Sequence, residues 1–173
     1  MFNQSFPFRH INDHSYQCDN YVSRWHNYSF RGKNGKRYIV IAEQFEHDIY
    51  AVKFYLQEHK SCEHKYNRLS GENECSRVLT TVGEIIKDVL VKNPYSSFMF
   101  LGSPLESESK KNTKRFRLYA RIVSNFIAPL DFEHKTSKNN SAYLLLNRHN
   151  TTENLLDKII EIFRKIQGTE IQF

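Results

Sequence analysis

Five basic residues, Lys110, Lys111, Lys114, Arg117 and Arg121, fall within one short stretch of this chain. Lys114, Arg117, Arg121 and Ser124 recur at the 3-and-4 spacing that shares one side of a helix. Phe116, Tyr119, Ala120, Val123 and Phe126 recur on another side, so an apolar stripe would fix this helix and leave a basic ridge outward. The free N–H groups and dipole of a helix N-terminus favour an anion. Lysines gathered there are therefore a local misfit unless an anion or a nearby acid offsets them. Glu106 and Glu108 in the preceding loop are such acids. The ridge reads either as a phosphate-contacting surface or as a solvated face.

A second basic set, Arg24, Arg31, Lys33, Lys36 and Arg37, is interleaved with Trp25, His26, Tyr28 and Phe30. Rings beside arginines suit single-stranded nucleic acid, where bases stack and phosphates meet cations. Trp25 and Tyr28 cannot share a face of a regular strand, so at least one ring points outward. Residues 24–38 and 110–121 hold 11 bases and no acid, leaving 14 of the 25 bases against all 19 acids elsewhere. The net charge of +6 is thus concentrated in two places, the arrangement that steers an anionic partner.

Templates for other chemistry are not met. Gly102-Ser103-Pro104 lacks the pattern of a nucleophile elbow, and no phosphate-cradling glycine loop or dinucleotide fingerprint occurs. Glu43, Glu46 and Asp48 follow no two-metal motif. Metal-free RNA cleavage needs only bases and a general acid or base; Arg117, Tyr119, Arg121 and His134 are the residues that could be recruited. His10 and His14 have the spacing of a helical metal pair, but their surroundings make a poor helix. His59, Cys62, His64 and Cys75 match no familiar zinc spacing. No catalytic residue, metal ligand or cofactor is assigned. The three cysteines, Cys18, Cys62 and Cys75, are scattered, which fits free thiols in a reducing cytoplasm.

Positioning these residues requires a sheet and three helices. Residues 1–20 carry Phe2, Phe6, Phe8 and Ile11 without clear period and read as an irregular arm, or a short edge strand, laid over the domain. Residues 21–30, 36–45 and 48–57 read as a three-stranded antiparallel meander, with Asn34-Gly35 as a tight turn. Residues 58–74 form an exposed loop broken at Gly71 and Asn73. Ser76 is the expected cap of a helix buried through Val78, Leu79, Val82, Ile85, Ile86, Val89 and Leu90, which Asn93-Pro94 stops. A strand at 97–101 leads to the basic helix, which opens at Asn112 or Thr113 and stops before Pro129. Strands at 130–135 and 142–147 follow; Tyr143 to Leu146 is apolar on both faces, as in an interior strand. Asn150 and Glu153 have capping-box spacing for a last helix that Gly168 ends. The order is three strands, helix, strand, helix, two strands, helix. That is a single α+β domain over 1–173, with a mostly antiparallel sheet and the helices on one face.

Thr80-Thr81-Val82 in a helix ending at Asn93-Pro94, the strand reaching Phe100-Leu101-Gly102-Ser103, and Thr113-Lys114-Arg115-Phe116-Arg117-Leu118-Tyr119 resemble small uncharacterised bacterial families over roughly residues 28–126. The resemblance implies a fold and a bacterial or phage origin, and no activity.

The functional expectation is a non-enzymatic cytoplasmic protein that binds RNA, DNA or another polyanion through the basic helix and the basic, aromatic hairpin. Two alternatives stay open: a metal-independent ribonuclease of toxin type, and an interaction module of a bacterial or phage defence system that meets an acidic protein. The N-terminus lacks the charge and apolar run of a signal peptide, no apolar stretch approaches membrane-span length, and no membrane partner is expected.

Overall fold

The computed structural model describes residues 4–67, 74–105, 107–127, 130–168 and 171–173. The expectations placed on Phe2, Gly71, Asn73, Glu106 and Pro129 lie outside them. The strands are β1 (Phe8–Cys18), β2 (Tyr21–Arg31), β3 (Arg37–Gln44), β4 (Ile49–Leu56), β5 (Ser97–Leu101), β6 (Phe132–Ser137) and β7 (Ala142–Asn147), and the helices are α1 (Cys75–Lys92), α2 (Lys114–Phe126) and α3 (Leu155–Gln167). They build one seven-stranded sheet in the order β1-β2-β3-β4-β5-β7-β6. Every neighbouring pair is antiparallel except β4 and β5. There α1 carries the chain back, so β5 starts at the same end as β4, as a parallel crossover requires.

The expected meander is β2–β3–β4, with Tyr38 opposite Leu56 and Phe30 opposite Tyr38. The arm is more regular than its composition suggests. It is an 11-residue edge strand paired along β2. Phe6 is buried, donates its backbone N–H to Thr81 Oγ1 at 2.8 Å, and lies under the Arg77 guanidinium at 3.9 Å.

The two faces of the sheet are covered differently. Tyr28, Tyr38, Val40, Tyr50, Phe98, Phe100, Tyr143 and Leu145 pack with Val82, Ile85, Ile86 and Val89 of α1 and Phe116 and Val123 of α2. On the other face Ile49, Ala51, Met99, Leu144 and Leu146 pack with Ile159, Ile162 and Phe163 of α3. The expectation that all helices share one face therefore holds for α1 and α2 and is corrected for α3. The reason is visible in β7, whose residues Ala142–Asn147 are buried at every position. A strand apolar on both sides needs a cover on both sides.

Helix ends also differ in detail from the sequence expectation. α1 opens one residue before Ser76, after Glu74, which makes no side-chain cap. α2 is capped by Thr113, whose Oγ1 accepts the Phe116 N–H at 3.1 Å. Asn150 does not cap α3. Its amide nitrogen donates to the carbonyls of His47 and Tyr95, and its side-chain oxygen accepts the Thr152 N–H. Asn154 in left-handed geometry opens the helix instead, and Gly168, at φ 68°, closes it. Among the described residues no helix is long and apolar enough to cross a membrane.

Candidate nucleic-acid interface

Register decides which basic residues meet. The β2–β3 turn and the N-terminal end of β1 lie beside the C-terminal end of β4. β5 runs parallel to β4, and the β6–β7 turn lies beside its C-terminal end. α2 starts there too, because Thr113 Oγ1 donates to the Gly102 carbonyl at 2.7 Å and Ser141 Oγ accepts the Thr113 N–H at 3.0 Å. Arg31, Lys33, Lys36 and Arg37 therefore share one end of the sheet with Lys110, Lys111 and Lys114, and β4 alone separates β3 from β5. Arg24 does not join them. It pairs opposite Gln44, toward the other end, and its Nη2 lies 3.4 Å from Asp13 Oδ2. Arg117 and Arg121 are exposed on the ridge with Lys114, but further along α2.

The N-terminus of α2 already holds its anion. Glu108 accepts the Lys114 N–H at 2.6 Å through one oxygen and the Leu105 N–H at 3.2 Å through the other. These backbone bonds, the one from Lys114 first, hold the Glu108 carboxyl below its ordinary value. Arg117 Nη1 donates to the Asn112 carbonyl. The lysine misfit is thus offset from within the loop, and the helix start is not a vacant phosphate cradle.

The hairpin is different. Arg31 and Arg37 face each other across β2 and β3, and Arg9 pairs with Ser29 one strand further out. Strand alternation sends Arg9, Ser29, Arg31 and Arg37 to the same face, the one away from α1. With Pro7, Phe8 and Phe30 they line an open groove of about 510 Å³ that contains no acid. Arg31 Nη1 donates to the Gly35 carbonyl at 2.8 Å. Among the described residues neither the Arg9 nor the Arg37 side chain has a hydrogen-bond or ion-pair partner. Like charges directly across a sheet are destabilising, so the Arg31–Arg37 pair, with Arg9 on the same acid-free groove, is uncompensated where the start of α2 is not.

Along the same face a ring stack continues from the groove. Trp25 lies 4.9 Å from Tyr16 with planes 22° apart, and His14 sits 5.1 Å from Trp25. Tyr28 is buried on the opposite face, so of the two rings Trp25 is the one turned outward. Its position is set by Glu43, a fully buried carboxylate that accepts Trp25 Nε1 at 3.0 Å, Ser23 Oγ at 2.7 Å and Lys53 Nζ. His10 and His14 take opposite faces of β1, as their registers with Tyr28 and Trp25 require. They share no ligand.

The ribonuclease alternative draws on Arg117, Tyr119, Arg121 and His134. Tyr119 packs against Phe54 and His134 is held by Tyr143 at 2.6 Å, while Arg117 and Arg121 face outward from α2. Tyr119 and His134 are thus held by neighbouring rings, whereas the two arginines point away from the core. Beyond Ala51 and Met99, β4 and β5 no longer pair, and a cavity of about 230 Å³ opens between them, lined by Lys53, Tyr66, Arg115, Tyr119 and Phe163 among others. Lys53 is bound to Glu43, and Arg115 donates to the Tyr66 carbonyl. Its cations are already partnered.

Arg9 is the residue that sequence reading missed. β1 is exposed on both faces over most of its length, so no hydrophobic alternation marks it as a strand. Comparison with known proteins finds no matching family model, curated protein or solved structure.

Proposed function

We propose that this protein binds single-stranded nucleic acid, RNA or DNA, along the β1–β2 edge on the side away from α1. Phosphates occupy the Arg9, Arg31 and Arg37 groove, and bases lie against Tyr16 on the Trp25 stack. The observation that carries the reading is the uncompensated arginine trio around an open groove, continuous with outward rings on the same face. Arginine serves such a site well because its planar fork grips phosphate with two bonds and stacks on rings. Lys110, Lys111 and Lys114, at the same end of the sheet, extend the positive field toward the strand's continuation. They act as solvated charges, since Glu108 occupies the helix terminus.

The test is fluorescence anisotropy with a labelled 12-nucleotide single strand across salt concentrations. Three phosphates engaged by the trio give a log–log salt slope of about −2, so a fourfold rise in salt weakens binding roughly twentyfold. Arg37→Glu should abolish most of that slope, and Lys110→Glu with Lys111→Glu should lower affinity with a smaller change in slope. Binding that ignores both salt and Arg37→Glu overturns the proposal.

A further inference from the structure

On the opposite face of the same edge hairpin, three ligating side chains converge that the nucleic-acid reading does not use. Pairing of β1 with β2 slips by one residue between His10 and Asn12. In an unbroken strand, His10 and Asp13 would project to opposite faces. The bulge turns Asp13 onto the face that His10 already occupies, the re-aiming that bulges produce. His26, directly across from Asp13, completes the set. His10 Nε2 lies 2.7 Å and His26 Nδ1 2.9 Å from one and the same oxygen, Asp13 Oδ1. The three ligand atoms lie within 4.8 Å of one another, the one such His, Cys, Asp or Glu group among the described residues.

The proton inventory of His26 sharpens this. Its Nε2 lies 3.0 Å from Gln44 Oε1, an amide oxygen that only accepts, a contact that the tautomer with a proton on Nε2 satisfies. In neutral His26 the other nitrogen, Nδ1, is then a bare lone pair aimed at a carboxylate oxygen that also only accepts. A positive charge between them, a proton or a metal ion, turns that repulsion into attraction. A histidine whose second ring N–H is given to a carbonyl is also how metal-ligating imidazoles are oriented.

We propose that His10 Nε2, His26 Nδ1 and an Asp13 carboxylate oxygen bind a divalent transition metal of zinc type, with its remaining positions open to water. Two imidazoles and one carboxylate suit Zn²⁺, Co²⁺ or Ni²⁺ and are a poor set for Mg²⁺ or Ca²⁺, which take oxygen ligands. Bonds of about 2.1 Å in a tetrahedron place ligands about 3.4 Å apart. The Asp13 carboxylate therefore withdraws from each imidazole by roughly half an ångström, and the two imidazoles, within 4.8 Å of each other, adjust on the edge hairpin to complete the tetrahedron. Arg24 at Asp13 Oδ2 holds the second oxygen and leaves Oδ1 for the metal. This proposal rests on no part of the nucleic-acid reading.

The experiment uses the untagged full chain, stripped with chelator, titrated with ZnCl₂ by calorimetry and with CoCl₂ by visible absorption. One equivalent of each metal binds, and bound Co²⁺ shows ligand-field bands without thiolate charge transfer. Asp13→Asn and His26→Ala each weaken Zn²⁺ binding at least tenfold, and Gln44→Ala weakens it about tenfold. His14→Ala, on the other face beside Asn27, leaves it unchanged. Circular dichroism of each variant matching the parent separates ligand loss from unfolding, and Asp13→Asn keeps the side-chain shape. No Zn²⁺ or Co²⁺ binding at ~100 µM metal overturns the proposal. So does wild-type affinity in the His10→Ala, His26→Ala double variant.

Discussion

The buried carboxylate of Glu43 ties two strands together and sets the one outward tryptophan, so its removal makes the sharpest test of how this sheet is held. Glu43 is fully buried on β3 and receives Ser23 and Trp25 from β2 and Lys53 from β4. Replacing Glu43 with alanine leaves three donors without their acceptor. Breaking a buried ion pair from one side costs about 3–5 kcal/mol. The lower end applies, because the Lys53 side chain is 28% exposed and can turn its ammonium toward water. A loss of about 3 kcal/mol corresponds to a fall of about 6–12 °C in melting temperature for a chain of this size. Lys53→Met leaves the carboxylate with two neutral donors and should cost about 2 kcal/mol, by the same desolvation argument. In Glu43→Ala with Lys53→Met both charges are gone, so the double loss should fall short of the summed single losses by about 1 kcal/mol or more. Urea unfolding followed by Trp25 measures all of these, since it is the chain's single tryptophan and contacts Glu43 directly. Additive losses within about 0.5 kcal/mol, or a loss under about 1 kcal/mol in Glu43→Ala, would refute the reasoning.

Gly102→Ala places a Cβ 2.5 Å from the Phe116 nitrogen and 2.6 Å from Thr113 Oγ1, atoms of the first turn of α2 that cannot swing aside; a loss of about 3 kcal/mol in denaturant unfolding is expected. Glu108→Gln should lower the melting temperature at neutral pH. The Glu108 pKa is depressed by the Lys114 and Leu105 N–H groups below the ordinary 4.5, so its stabilisation is present above that value and vanishes as pH falls through the depressed one. Melts of parent and variant should therefore converge in acid. His134 has its pKa lowered from 6.5 by burial and then by Arg148, and its Nε2 is buried without a partner among the described residues. The folded state prefers neutral His134, so stability holds above the ordinary value and declines below it as the unfolded chain takes up the proton. His134→Gln should flatten that decline between neutral pH and about pH 5. Tyr16→Ala should weaken single-strand binding by about 1–3 kcal/mol if a base stacks there, read by the same anisotropy titration.

Much of this architecture follows from local pattern. The stripe Val78, Val82, Ile85, Ile86, Val89 marks α1, and Asn93-Pro94 ends it. Alternation through β2, β3 and β4 fixes their pairing, because slipping one residue would exchange the buried face for the exposed one. The basic ridge of α2 and the outward ring of the hairpin are legible for the same reason: each element has one apolar side, and what remains must face elsewhere. Where an element lacks that asymmetry, the sequence is silent. β1 meets water on both faces and carries no period, so neither its length nor the place of Arg9 can be read from it. Long-range register alone sets Arg9 on one groove with Arg31 and Arg37, draws Arg24 away to Asp13, and gathers His10, Asp13 and His26 across a bulge. The fold of a loop back onto its own helix lets Glu108 fill the terminus of α2. Sequence by itself determined which side of each element is buried, since burial repeats with the period of the local backbone. Tertiary structure decided which charges become neighbours, because that depends on partners distant along the chain.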